Sequence, residues 1–150
     1  MSIRFDIHIQ TLPQAEQKDT FKFMSWGYVG SVGVKGLQML INNWLKCFLT
    51  PRGSDPTDLA YGTVFTNMIG SNIRPQDARD VTLLAISQCN AQIVTFQKGD
   101  TTLTSTERLG SATLTGFTID NSAPGFSAVV EIRNQAGERL AFNLPLFATT

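Results

Sequence analysis

The side chains able to carry chemistry are few, and their spacing does not assemble a reaction. There is one histidine, His8, and there are two cysteines, Cys47 and Cys89. A Ser-His-Asp or Cys-His arrangement would have to use His8, which has no serine or cysteine partner near it in sequence. A tetrahedral zinc site needs four Cys or His ligands with close spacing, and no C-x-x-C pair is present. Carboxylates remain. Glycoside hydrolysis takes two of them across a cleft, one with a raised pKa, and the candidates are Asp55, Asp58, Asp77, Asp80 and Glu107. Asp55 and Asp58, like Asp77 and Asp80, are more simply acids at the start of a helix, where the positive end of the dipole stabilises them. Gly27, Gly30, Gly33 and Gly36 recur every third residue. That spacing fits neither the dinucleotide nor the phosphate-loop pattern, and Lys35 is not followed by Ser or Thr. No catalytic residue, cofactor or metal site is expected.

Charge narrows the choice of partners. Twelve basic residues balance twelve acidic ones, and only 16% of the 150 residues are charged while 42% are hydrophobic. A neutral chain offers no long-range field to nucleic acid or anionic lipid, so neither is expected as a partner. Low charge also removes the self-repulsion that keeps a free monomer soluble, and a subunit of a larger assembly tolerates that best. No run of 18 apolar residues occurs, so no membrane span is expected, and the first residues lack the apolar stretch of a secretion signal. The two cysteines are expected to be reduced, buried thiols on helices.

The elements follow from periodicity. Ile3, Phe5, Ile7 and Ile9 alternate with Arg4, Asp6 and His8, which reads as a half-buried strand. A polar stretch with Pro13 follows, so residues 1–20 form a strand arm and linker, and residues 21–150 form the main domain. The arm strand is expected to pair with another chain or on the outer edge of its own sheet, because an unpaired edge is an open template. Leu37, Leu40, Ile41, Trp44, Leu45 and Phe48 fall on one helical face that Pro51 and Gly53 end. A second helix is expected from Asp55 as cap, with Leu59, Tyr61, Val64, Phe65, Met68 and Ile69 apolar and Gly70 closing it. A third opens at Pro75 and runs to about Gln97, its buried face supplied by Val81, Leu84, Ala85, Ile93 and Phe96. Three strands then follow, carrying Ala112 to Ile119 with a bulge at Gly116, Phe126 to Ile132, and Leu140 to Leu146, the last two joined by a turn at Asn134-Gln135-Ala136-Gly137. Pro145 marks the last strand as an edge. The expectation is an α+β domain of three helices followed by a C-terminal antiparallel sheet, with an N-terminal strand arm.

Leu49-Thr50-Pro51-Arg52-Gly53-Ser54, followed eight residues after Gly53 by Tyr61-Gly62-Thr63, carries a resemblance. The pair is similar to the T-P-x-G-S … [FY]-G-S signature of the baseplate wedge and sheath-initiator family of contractile-tailed phages, once labelled tail lysozymes. The flanking pattern matches from Gly36 to Phe147, with Leu144-Pro145-Leu146 similar to the family's closing L-x-L-P strand. Members of the family also carry a Glu-Pro-Arg triplet between the last helix and the sheet, and the resemblance implies contact through it with the helical core bundle of the wedge. Glu107-Arg108-Leu109 stands in its place, without the proline, and Ala60 stands where an acid commonly precedes the aromatic. The resemblance implies a non-enzymatic virion subunit of the tail baseplate, present in multiple copies in a six-fold assembly built in the host bacterial cytoplasm. It implies that sheath protein, other wedge subunits and tube-proximal proteins are partners, and that sheath subunits join by strand addition. Partner-binding residues would then be Glu107, Arg108, Leu109, Ile3, Phe5, Ile7, Ile9, Leu144 and Leu146, while Thr50, Pro51, Gly53, Tyr61 and Gly62 turn and pack the chain. The alternatives are a small tail-associated peptidoglycan hydrolase using paired carboxylates, and the equivalent subunit of a non-phage contractile injection system.

Overall fold

The computed structural model describes residues 8–10, 25–27, 35–68, 73–120 and 125–147. Among them are two α-helices and a three-stranded antiparallel sheet, an α+β arrangement. In chain order the elements are β1 (His8–Gln10), β2 (Ser25–Gly27), α1 (Gly36–Leu49), a 3₁₀ turn (Phe65–Met68), α2 (Pro75–Gly99), β3 (Leu109–Asp120), β4 (Gly125–Asn134) and β5 (Arg139–Phe147). The sheet has the order β3-β4-β5.

Helix α1 forms where the 3.6-residue spacing predicts it and buries Leu40, Ile41, Trp44, Leu45, Cys47 and Phe48. Trp44 stacks on Phe48 with ring centroids 4.7 Å apart and meets Phe142 of β5 edge-on at 6.0 Å. Phe48 in turn packs on Phe65 at 4.3 Å. One aromatic column thus joins the far strand, α1 and the 3₁₀ turn. Each such side chain contributes roughly 1.5–3 kcal/mol by leaving water. The inward positions of the sheet alternate as expected: Ala128, Val130 and Ile132 on β4, and Phe142 and Leu144 on β5, are buried. The β3–β4 register slips between Leu114 and Gly116, the bulge read from the sequence, and again between Leu109 and Ser111. At the second slip a side chain on Gly110 would sit 2.8 Å from the Asn134 carbonyl oxygen, so that strand crossing requires glycine.

Three expectations are corrected. Among the described residues the second helix is absent: residues 55–62 form bends and turns, and Phe65–Met68 coil as a 3₁₀ turn, while Ile69 and Gly70 lie outside the described residues. Asp55 Oδ1 accepts bonds from the Thr57 amide and hydroxyl, and Asp58 Oδ1 accepts the Ala60 amide. Side chains that bond their own backbone two residues on compete directly with helix formation. Leu84 and Phe96 are not in the buried face of α2; they are 52% and 51% exposed. Finally, the described part of the N-terminal strand, His8–Gln10, pairs antiparallel with Ser25–Gly27 of its own chain in a separate two-stranded sheet, rather than on the outer edge of the β3-β4-β5 sheet. Ile3, Phe5 and Ile7 lie outside the described residues.

What α2 turns inward is partly polar. Ala78, Thr82, Ala85, Ile86, Cys89 and Ile93 are buried, and on the flanks of that stripe stand Gln88, Asn90, Gln92 and Gln97. Asn90 Oδ1 accepts the Trp44 indole N–H at 2.9 Å while its Nδ2 donates to the Ala112 carbonyl at 2.9 Å, tying α1, α2 and β3 at one point. Replacing Asn90 with alanine strands the indole N–H of a fully buried tryptophan. We expect Asn90→Ala to lower unfolding free energy by about 1–3 kcal/mol in urea melts, with Asn90→Asp retaining the Trp44 acceptor and losing less.

Candidate functional site

The two halves of the Thr50…Thr63 motif meet. Helix α1 ends at Thr50, whose backbone is extended ahead of Pro51; its amide makes a last i→i−4 bond to the Lys46 carbonyl, which also accepts the Thr50 hydroxyl. Pro51 and Thr63 form a parallel bridge: the Thr63 amide donates to Thr50 O at 2.9 Å and the Arg52 amide donates to Thr63 O at 3.1 Å. The intervening residues make a closed excursion, turned at Gly53 with φ +84°. Gly62 has φ +96°, and a Cβ there would lie 3.1 Å from both Arg52 N and the Pro51 carbonyl carbon, and closer still to the Thr50 oxygen. Gln92 of α2 closes the arrangement, its Oε1 accepting the Gly62 amide at 3.0 Å and its Nε2 donating to the Gly62 carbonyl at 2.9 Å. Gln88 accepts the Val64 amide in the same way.

Glu107 and Arg108 act on helix ends. Helix α1 begins at Lys35, which supplies no side-chain cap, and the Gly36 amide donates instead to Glu107 Oε1 at 3.3 Å. Glu107 Oε2 accepts the Thr104 amide and hydroxyl. Arg108 spreads its guanidinium over the C-terminal end of α2, donating to the carbonyls of Gln97 (2.9 Å), Asp100 (2.6 Å) and Leu103 (3.3 Å). An anion at a helix start and a cation at a helix end each oppose the helix dipole with the favourable sign. Gln97 completes the corner by donating to Glu107 O and accepting the Leu109 amide. The Leu109 side chain is in the core, as is that of Leu144.

These two constructions share one hollow of about 300 Å³, lined by Asn43, Lys46, Tyr61, Phe96, Asp100 and Glu107 among others. Tyr61 of the motif tilts against Phe96 with ring centroids 5.9 Å apart. The sequence singled out Tyr61 and Glu107 separately; the fold makes them neighbours in one recess. It also brings Lys46, Phe96 and Gln97 to the recess, while Gln88 and Gln92 bond the backbone of Val64 and Gly62; apolar periodicity carries no signal for these amides. Their signal was present as a run of amides in a helix without a single charge between Val81 and Gln97.

Glu107 is held below its ordinary value of 4.5 by the Thr104 amide first, then by the Gly36 amide and the Thr104 hydroxyl, so it stays ionised. Asp55 is likewise lowered, by the Thr57 hydroxyl and amide. A glycosidic general acid needs the opposite shift. Among the described residues no three His, Cys, Asp or Glu side chains could share a metal ion, and no helix is long and apolar enough to cross a membrane. Cys47 and Cys89 are free, buried thiols; burial pushes the Cys89 thiol up.

A further feature is the edge of the sheet. No described element pairs with the outer side of β5. The Asn134 amide bonds the Glu138 carbonyl at 2.9 Å, which makes that pair hydrogen-bonded, and the β4–β5 register runs without a slip. Alternation therefore turns the backbone groups of Arg139, Ala141 and Asn143 outward, with those of Pro145. Proline lacks an N–H at the outer side, where the ladder to β4 loses nothing.

No family model, curated protein or solved structure matches this chain.

Two outcomes are expected. Gly62→Ala should destabilise the fold by at least about 2 kcal/mol in chemical melts, since it combines a left-handed φ with a backbone clash. Glu107→Gln should cost about 1 kcal/mol at pH 7. Because the folded pKa of Glu107 is depressed, its contribution is complete above 4.5 and is lost as pH falls through the folded value. The gap between wild type and Glu107→Gln in melts across pH 7 to 3 should therefore close on the acid side.

Proposed function

We propose that this chain is a non-enzymatic structural subunit that templates assembly by accepting a neighbouring strand on β5, in the manner of an inner baseplate wedge protein that starts the sheath of a contractile tail. The open edge carries the reading. Outward N–H and C=O groups on Arg139, Ala141 and Asn143 form a template whose completion satisfies backbone groups otherwise left to water. The neutral charge balance supports it, since such a chain gains little from standing alone in solution. The meeting of Thr50-Pro51 with Gly62-Thr63 gives the family-like motif a physical purpose in holding the α1–α2 junction. Glu107 and Arg108 are occupied with helix ends, so their part in partner binding would be to shape the recess with Tyr61 and Phe96 for a neighbour's side chain. The N-terminal arm belongs to the same proposal as a second strand-level contact; removing residues 1–12 should impair assembly more than folding.

Each added bond is modest, but a ring of subunits makes the contacts multivalent. Proline at position 141 or 143 removes one outward N–H and leaves the β4 ladder intact. Co-expression of wild type, Ala141→Pro and Asn143→Pro with the sheath and wedge proteins of a contractile tail from the same source tests this. The wild type should co-purify with sheath protein, and the proline variants should lose at least roughly tenfold in recovery while melting within about 1 kcal/mol of wild type. Unchanged recovery, or lysis of peptidoglycan by the purified chain that Glu107→Gln abolishes, would count against the reading.

A further inference from the structure

The solvent face of α2 is apolar where a surface helix ordinarily carries charge. Seventeen consecutive residues, Val81 to Gln97, contain none. At 100° per residue, Asp80, Leu83, Leu84, Ser87, Ala91, Val94, Thr95 and Lys98 share one stripe directed away from the core residues Ala85 and Cys89. Leu83 is 40%, Leu84 52% and Val94 38% exposed, and Asp80, Ser87, Ala91, Thr95 and Lys98 are exposed as well. No described element covers the stripe.

Side-chain size along it is roughly mirror-symmetric, small at the centre and branched outside, with the charge inverted at its two ends. Measured from the level of residue 89, Ser87 mirrors Ala91, Leu84 mirrors Val94, Leu83 mirrors Thr95, and Asp80 mirrors Lys98. A second α2 laid antiparallel across the first about a two-fold axis at that level would set each member of a pair against its counterpart. Small residues would meet at the crossing, where they let helix axes approach toward the low end of roughly 8–10 Å. The branched residues would flank the crossing, and each Asp80 would face the partner's Lys98 position at the rim. Arg79 points about 100° away from Asp80 and does not enter this line. A parallel pairing would oppose acid to acid, whereas the antiparallel one also aligns the helix dipoles favourably. A self-complementary surface of this kind closes at two copies.

We propose that α2 is a homodimer interface, in which two copies of this chain pack antiparallel through Leu83, Leu84, Ser87, Ala91 and Val94 with Asp80 and Lys98 as reciprocal charge pairs. The inference is independent of strand addition at β5, which uses a different element and different groups.

Sedimentation equilibrium of the full chain, from low micromolar to roughly 100 μM, tests it. The wild type should form a dimer and nothing larger through this face. Leu84→Glu should raise the dimer Kd at least about tenfold, because it buries a carboxylate against the partner's Val94 position. Lys98→Asp should weaken the dimer by roughly threefold or more by setting acid against acid at both rims. Combining it with Asp80→Lys should restore affinity to near wild type, a recovery that no folding defect would produce. A chain that stays monomeric throughout, whether the face is bare or covered by another segment or protein, overturns the proposal. So does a dimer indifferent to Leu84→Glu, or a double charge exchange weaker than Lys98→Asp alone.

Discussion

The fold depends on the backbone of two irregular segments being hydrogen-bonded where they press on the core, and the amides of α2 do this. Residues 50–64 and 100–109 leave helix geometry yet run against buried structure, where an unpaired peptide group costs more than most side-chain contacts return. Gln92 pairs with the backbone N–H and C=O of Gly62, Gln88 takes the Val64 amide, and Gln97 takes the Leu109 amide and donates to Glu107 O. Asn90 serves a side chain and a strand instead, accepting the Trp44 indole N–H and donating to the Ala112 carbonyl of β3. A primary amide presents a donor and an acceptor side by side, so it stands in for a missing strand partner without bringing a charge into the interior. Helix α2 is therefore less a hydrophobic stave than a ladder of main-chain surrogates.

That arrangement explains where charge is used. With so few ionised groups, those placed near the interior serve the helix termini: Glu107 at the start of α1 and Arg108 at the end of α2. Adjacent in sequence, they fix two helix ends against one corner of the sheet. The surface ion pair Arg74–Asp77, at 3.8 Å and well exposed, adds little by comparison. The same corner sets the direction in which β3 enters the sheet. From there the order β3-β4-β5 leaves β5 at the far side, with its outward groups presented to whatever lies beyond.

Sequence periodicity reached the parts of the fold in which apolar residues alone decide. The face of α1, the alternation of β4 and β5, the bulge before Gly116 and the Pro51 stop could all be read directly. The region from Asp55 to Ile69 could not, because its apolar spacing suits a helix while Asp55 and Asp58 spend their carboxylates on local turns. The pairing of Thr63 with Pro51 then requires an extended backbone at the place where a helix would have run. Leu84 and Phe96 differ from their expected burial for a related reason: the amides of α2 occupy the packed flank that apolar spacing alone assigns to hydrophobic residues. Of the candidate site, Tyr61, Gly62 and Glu107 were legible as motif residues. Their convergence with Lys46 and Phe96 in one hollow was not, since it depends on how far the 50–63 excursion folds back.

The central claim is that the outer backbone of β5 waits for a strand from another polypeptide. Amide hydrogen exchange at Ala141 and Asn143, followed in the isolated subunit and again in the assembled particle, addresses it most directly. Rapid exchange in isolation and strong protection after assembly, beside β4-bonded neighbours such as Phe142 that are protected in both, is the predicted result. Equal exchange at Ala141 and Asn143 before and after assembly would contradict it.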